Sequence, residues 1–116
     1  RDLEDDREQM AHYEIPEIDL VIVDLYPFEA TVASGASDAD IIEKIDIGGI
    51  SLIRAGAKNH KDVVIVSSKA DYQPLLNIVK AQGAETTLEQ RKQFSTNAFA
   101  TSSHYDTAIH AWFSKN

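Results

Sequence analysis

Three short stretches of this chain carry side chains suited to chemistry, each where a regular element begins or ends. The first is Val21-Ile22-Val23-Asp24-Leu25-Tyr26-Pro27-Phe28. Its β-branched run reads as a strand, ended at Pro27 because proline cannot donate to a ladder. In open α/β sheets ligands bind beyond the carboxyl ends of strands, where Asp24 and Tyr26 fall. A tyrosine there either donates a hydrogen bond to a ligand or packs under a loop. The second stretch is Asp46-Ile47-Gly48-Gly49. Two glycines at a helix start let backbone N–H groups approach a ligand closely. Asp46 beside them either caps the helix or orients and deprotonates an amine. The third is Lys58, which follows Ala55-Gly56-Ala57 at the end of a helical pattern. A lysine there is stabilised by the helix dipole. Partly buried, its ammonium can instead stabilise a developing oxyanion.

Other chemistries are excluded by residue type or spacing. The chain has no Cys, so disulfides, thiolate metal sites and Cys nucleophiles fall away. His104 and His110 are six apart, not the three or four that place two ligands on one helix face; no metal site is expected. The formal net charge is −8, and an acidic chain is a poor general binder of nucleic acid, whose phosphates need a basic face. The longest strongly apolar run, 18–25, contains Asp19 and Asp24 and falls well short of the ~20 residues of a membrane helix. The charge is uneven. Residues 1–19 hold eight acids and two bases, whereas residues 44–69 hold Lys44, Arg54, Lys58, Lys61 and Lys69 against Asp46 and Asp62. A cation-rich stretch in an acidic protein suits a small anionic ligand or is a solvated helix face.

The elements that position these residues follow from periodicity. Residues 2–13 read as a polar surface helix with a thin stripe of Leu3, Met10 and Tyr13. Residues 18–25 and 62–67 read as strands buried on both faces, hence parallel neighbours. A loop over 33–38 leads to a short helix over 39–45 capped by Ser37, with Asp40 completing a weak capping box. A second helix runs from the Gly-Gly pair to about Lys58. Residues 70–82 form a helix with Leu75, Leu76 and Val79 inward, stopped by Gly83. Thr87 and Gln90 make a clearer capping box. Phe94, Ala98, Thr101, Tyr105, Ala108 and Trp112 then recur at helical spacing, an aromatic stripe read as core. Strands alternating with helices predict an α/β fold with a parallel sheet. Two strands are too few for such a sheet to stand alone, and residue 1 is Arg, so the chain reads as a piece of something longer. An uncovered sheet edge predicts self-association or a companion segment.

Read together, the motifs are more specific. Asp-Leu-Tyr-Pro-Phe at 24–28, Ile-Asp-Ile-Gly-Gly at 45–49 and Arg-Ala-Gly-Ala-Lys-Asn-His at 54–60 resemble the IMP cyclohydrolase domain of the bifunctional AICAR transformylase/IMP cyclohydrolase family. Asn97-Ala98-Phe99-Ala100 and Tyr105-Asp106-Thr107-Ala108-Ile109 fit as well. The resemblance runs over nearly all 116 residues. It implies a three-layer methylglyoxal-synthase-like α/β domain with a mostly parallel sheet, incomplete on its N-terminal side. Residues 1–116 would be the C-terminal part of that domain, without the following transformylase domain. The implied reaction closes formyl-AICAR to IMP with loss of water in purine biosynthesis. The resemblance places Tyr26, Asp46 and Lys58 at catalytic positions, with Lys58 on the oxyanion, Asp46 on the amine and Tyr26 steadying the formyl oxygen or relaying a proton. It makes Asp24, Ile47, Gly48 and Gly49 substrate-binding. Ring closure would need no cofactor, whereas the transformylase step would use 10-formyltetrahydrofolate. The implied partners are the purine nucleotide and a second subunit of a homodimer, with no nucleic acid and no membrane, in the cytoplasm. Many members carry Asn in place of Asp24 and Ala in place of Gly56, and the family's phosphate-binding loops have no counterpart here, so the piece alone is expected to be inactive. The alternative is an effector-binding regulatory module of the same fold.

Overall fold

The computed structural model describes residues 1–115. The element order is α1 (Glu4–His12), β1 (Leu20–Ile22), α2 (Phe28–Ala33), α3 (Asp38–Glu43), α4 (Gly48–Lys58), β2 (Val64–Val66), a 3₁₀ turn (Lys69–Asp71), α5 (Tyr72–Gln82) and α6 (Leu88–Lys115). The strands are parallel, with Leu20 opposite Val64, Val21 opposite Ile65 and Ile22 opposite Val66. The Val23 N–H continues the pairing onto the Val66 carbonyl. This is the expected α/β arrangement.

The two strands are covered unequally. Every residue of β2 is buried, whereas Leu20 and Ile22 of β1 are 44% and 51% exposed. The reading of 18–25 as buried on both faces therefore holds only for its partner strand. Side chains alternate across a sheet, and α4 covers the face that carries Ile65. Gly56 allows this approach, since a Cβ there would come within 2.9 Å of Ile65 Cδ1. Val21, in register with Ile65, packs into the same core. Leu20 and Ile22 point the other way, and that face is closed only over β2.

The main core joins Ile53 and Ala57 of α4, Val64, Ile65 and Val66 of β2, and Phe94 and Ala98 of α6. A second cluster, Phe28, Ile41 and Tyr105, gathers Val32, Ile45, Ile50 and Trp112 around it. Phe28 lies edge-on to Tyr105 and Trp112, with ring centroids 6.2 and 6.3 Å away. The aromatic stripe of α6 thus serves as core along its whole length. α6 begins at the reciprocal box expected of Thr87 and Gln90: the Thr87 N–H donates to Gln90 Oε1 at 2.9 Å and the Gln90 N–H to Thr87 Oγ1 at 3.1 Å. Ser37 caps α3 by accepting from the Asp40 N–H at 3.2 Å.

Two details differ from the periodicity reading. The periodicity reading assigns no element between the strand's end at Pro27 and the loop at 33; there α2 forms, with Phe28 buried in the second cluster. On α5, Leu75 and Ile78 pack on the core, while Leu76 and Val79 are exposed. α1 buries none of its residues. Arg1 holds the start of the chain to Asp19 and the Ile18 carbonyl, and Lys61 pairs with Asp2. No helix among the described residues is long and apolar enough to cross a membrane.

Candidate active site

The site is built at the start of α4. Ile47 already has helical dihedrals (φ −90°, ψ −53°), so Asp46 stands where an N-cap side chain works. Its Oδ1 accepts from the Gly49 N–H at 2.6 Å. Its Oδ2 accepts from the Tyr26 N–H at 3.2 Å, tying the exit of β1 to the entry of α4. The capping reading of Asp46 is therefore correct, and it does not exhaust the group: a carboxylate offers about four acceptor positions, of which these bonds use two. A Cβ at Gly49 would sit 2.7 Å from both Asp46 oxygens, so a larger residue there displaces the carboxylate. Gly48 meets nothing within 4 Å in the same test, so its backbone faces open space that a planar ligand can enter.

Tyr105 holds this corner from below. Its hydroxyl accepts from the Asp46 N–H at 2.9 Å and donates to the Lys44 carbonyl at 2.8 Å, with the Tyr26 carbonyl at 3.4 Å. Burial pushes its pKa above the ordinary tyrosine value, and the Asp46 charge adds to this against the hydrogen bond from the Asp46 backbone. The hydroxyl thus stays protonated at neutral pH and keeps donating. Reading Tyr105 as core missed this role. The available signal was that it is the one phenol in an otherwise non-phenolic stripe, and a buried phenol needs a partner.

The Tyr26 ring is 55% exposed, with the Lys44 ammonium 5.5 Å from its centroid. Asp24 and Ile47 are exposed. Tyr26, Asp46, Gly48 and Gly49 are thus gathered at one corner. Lys58 is not among them. It ends α4, ten residues after Gly48, about 15 Å along the axis at 1.5 Å per residue. There it lines a different pocket, with Arg54, His60, Lys92 and Ser95. One chain therefore does not bring Lys58 to the carboxylate of Asp46. No group of three or more His, Cys, Asp or Glu suited to a metal ion occurs among the described residues.

Comparison with known proteins places this corner in a family. Residues 56–116, more than half of the chain, match the model of the AICARFT/IMPCHase bienzyme, and residues 2–51 match that of the MGS-like domain. The bifunctional purine biosynthesis protein PurH of Bacteroides thetaiotaomicron is 68% identical over 113 residues, covering 97% of this chain and 22% of the relative. The protein of the same name from Rhodospirillum rubrum is 52% identical over 113 residues, with the same coverage. The crystal structure of ForH is similar at TM-score 0.73 and 31% identity, over 97% of this chain and 59% of that one. The chain spans about a fifth of the length of the curated relatives it matches. With its parallel α/β core and the aspartate–glycine corner of α4, the chain belongs to the AICARFT/IMPCHase bienzyme family.

Proposed function

We propose that this chain contributes the base-side half of an IMP cyclohydrolase site, which closes formyl-AICAR to IMP in purine biosynthesis. In that reaction the carboxamide nitrogen attacks the formyl carbon carried by the neighbouring former amine. A carbon–nitrogen bond forms, the carboxamide nitrogen and the formamide nitrogen each give up one proton, and the bond from carbon to the formyl oxygen breaks as that oxygen leaves as water. The observation that carries the reading is the Asp46 carboxylate, held by two backbone N–H groups beside the open face of Gly48. It can accept a proton from the attacking carboxamide nitrogen while the ring edge lies against the Ile47–Gly48 backbone. Tyr26, exposed at the same corner, would donate to the formyl oxygen. Asp24, exposed beyond the end of β1, would be a substrate contact.

Lys58 belongs to the same proposal on different terms. At the far end of α4 it can reach the formyl oxygen only where an assembly brings that end of a second copy to the Asp46 corner, as the homodimer implied by the resemblance would allow. The substrate's phosphate has no cradle among the described residues, so the chain alone is expected to turn over far more slowly than the whole protein. The ring closure calls on no cofactor. A transformylase step using 10-formyltetrahydrofolate would be carried by other parts of a full-length relative, in the cytoplasm.

The test is cyclisation of formyl-AICAR by the full-length protein. Asp46→Asn, which keeps an acceptor for the Gly49 N–H but loses the one for the Tyr26 N–H, removes the base and should lower kcat by about 10²–10⁴-fold, at a stability cost of about 1–3 kcal/mol. A near-normal kcat would remove Asp46 from the chemistry. Lys58→Ala separates two geometries: a loss of about 10²-fold or more in kcat would place its ammonium at the reacting carbonyl, and a near-normal kcat would remove it. Nucleotide binding with no turnover by the full-length protein would favour a regulatory module instead.

A further inference from the structure

The hydroxyl of Tyr105 meets the backbone beside both side chains placed at the reacting atoms. It donates to the Lys44 carbonyl at 2.8 Å and accepts from the Asp46 N–H at 2.9 Å, and the Tyr26 carbonyl stands 3.4 Å away. Lys44 follows α3 and Asp46 precedes α4, so neither helix supplies partners for these groups. Between them Ile45 packs against the second cluster, which also holds the Tyr105 ring. The turn is thus pinned twice, by an apolar side chain and by a phenol that closes over the backbone on either side of it. The Tyr26 carbonyl also accepts from the Phe28 N–H at 2.9 Å. The phenol is therefore an added restraint at Tyr26 and the main one on the Asp46 backbone.

The ring itself is placed by contacts outside this corner. α6 runs antiparallel to α4. It is anchored near its start, where Arg91 donates to the His60 carbonyl at 3.0 Å, and further along, where Phe94 and Ala98 enter the main core. Tyr105 follows Ala98 by about two turns, and its ring is buried against Phe28. The helix therefore acts as a template from which the hydroxyl dictates where the α3–α4 turn sits. Without that hydroxyl, the Asp46 N–H and the Lys44 carbonyl lose their partner and turn toward water. The Asp46 carboxylate then moves with its own backbone, and its bonds from the Gly49 and Tyr26 N–H groups no longer fix it in place. Reaction rates are sensitive to such shifts, since a displacement of about 1 Å can cost about 10²-fold.

We propose that Tyr105 is a positioning residue for the ring closure: through the Asp46 N–H and the Lys44 carbonyl, its hydroxyl sets the Asp46 carboxylate at the attacking nitrogen. It makes no contact with the substrate and exchanges no proton with it. The inference rests on the reading of Asp46 as the base, and adds to it a residue 59 positions away in the chain.

The test is steady-state cyclisation of formyl-AICAR by the full-length protein, run well below the unfolding midpoint of each variant. Tyr105→Phe, which keeps the ring, should lower kcat by about 10–100-fold while KM stays within about twofold of the parent. Phe94→Leu serves as the stability control. It removes core contacts from the same helix and touches no group of the corner, so its kcat should match the parent. Because the hydroxyl acts through Asp46, Tyr105→Phe added to Asp46→Asn should lower kcat by less than about twofold further. Four results would each overturn the inference while leaving Asp46 as the base: a near-normal kcat for Tyr105→Phe, an equal fall in Phe94→Leu, a rise in KM in place of the fall in kcat, or an equal loss in both backgrounds. A near-normal kcat for Asp46→Asn would instead remove the base, and the positioning role with it.

Discussion

Asp46 is held by what surrounds it more than by its own helix. Gly49→Ala places a methyl 2.7 Å from both carboxylate oxygens, so Asp46 must swing out and release the Gly49 and Tyr26 N–H groups. Loss of the cap should cost about 1 kcal/mol, read from urea unfolding, despite the better helix propensity of alanine. Cyclisation by the full-length protein should fall as well, because the displaced carboxylate is the proposed base. Tyr105→Phe leaves the Asp46 N–H and Lys44 carbonyl without their phenol partner, a loss of about 1–3 kcal/mol. The same phenol predicts a pH dependence. Burial raises its pKa above the ordinary value of about 10. Below that value both folded and unfolded chains hold the proton, and the contribution is complete. Above it the unfolded chain releases the proton first, so stability falls as pH rises through the folded value. The urea midpoint should therefore drop more steeply between pH 9 and pH 11 in the parent than in Tyr105→Phe (the pH range being about one unit either side of the ordinary value).

At the scale of elements, α4 is the organising piece, since it covers the sheet with one face and presents a different chemistry at each end. Its seat depends on Gly56. Gly56→Ala brings a Cβ within 2.9 Å of Ile65 Cδ1, and Ile65 is fully buried and cannot move freely. Overpacking of this kind costs about 1–3 kcal/mol, partly offset by about 1 kcal/mol of helix propensity. Ile65→Val removes the offending methyl, so in a double-mutant cycle the two substitutions together should cost less than their sum. Additive behaviour would show that the helix shifts instead. The boundaries of α3, α4 and α6 were legible because caps and periodicity agree there: Ser37 before Asp40, Gly48-Gly49 after Asp46, and Thr87 with Gln90. α2 was not legible, because six residues hold too little periodicity to be read. Its cause is one buried ring, Phe28, whose partners Tyr105 and Trp112 lie far along the chain.

The whole molecule is open for its length. The radius of gyration is 17.0 Å, against about 13 Å for a compact domain of this size. The exposed helix α1 and the 28-residue α6 account for the extension. The sheet shows the same openness, with β2 sealed and β1 half bare. Urea denaturation should report that asymmetry. Ile65→Ala should cost about 2–5 kcal/mol, whereas Ile22→Lys, at a position 51% exposed, should stay within about 0.5 kcal/mol. A large effect at Ile22 would show that its face is covered in solution.

Local patterns in the amino-acid sequence were enough to establish the α/β class, the two parallel strands, the helix caps and the family motifs around Tyr26, Asp46 and Lys58. Each depends on residues within a few turns of one another, where propensity, capping and alternation act directly. Only the tertiary structure decided how those motifs share space. The rigid rod of α4 separates Asp46 from Lys58 by its own length. The antiparallel α6 brings Tyr105 beneath one end, and Lys92 and Ser95 beside the other. A helix keeps its ends apart whatever their sequence spacing, and contacts between residues dozens of positions apart leave no local pattern to read.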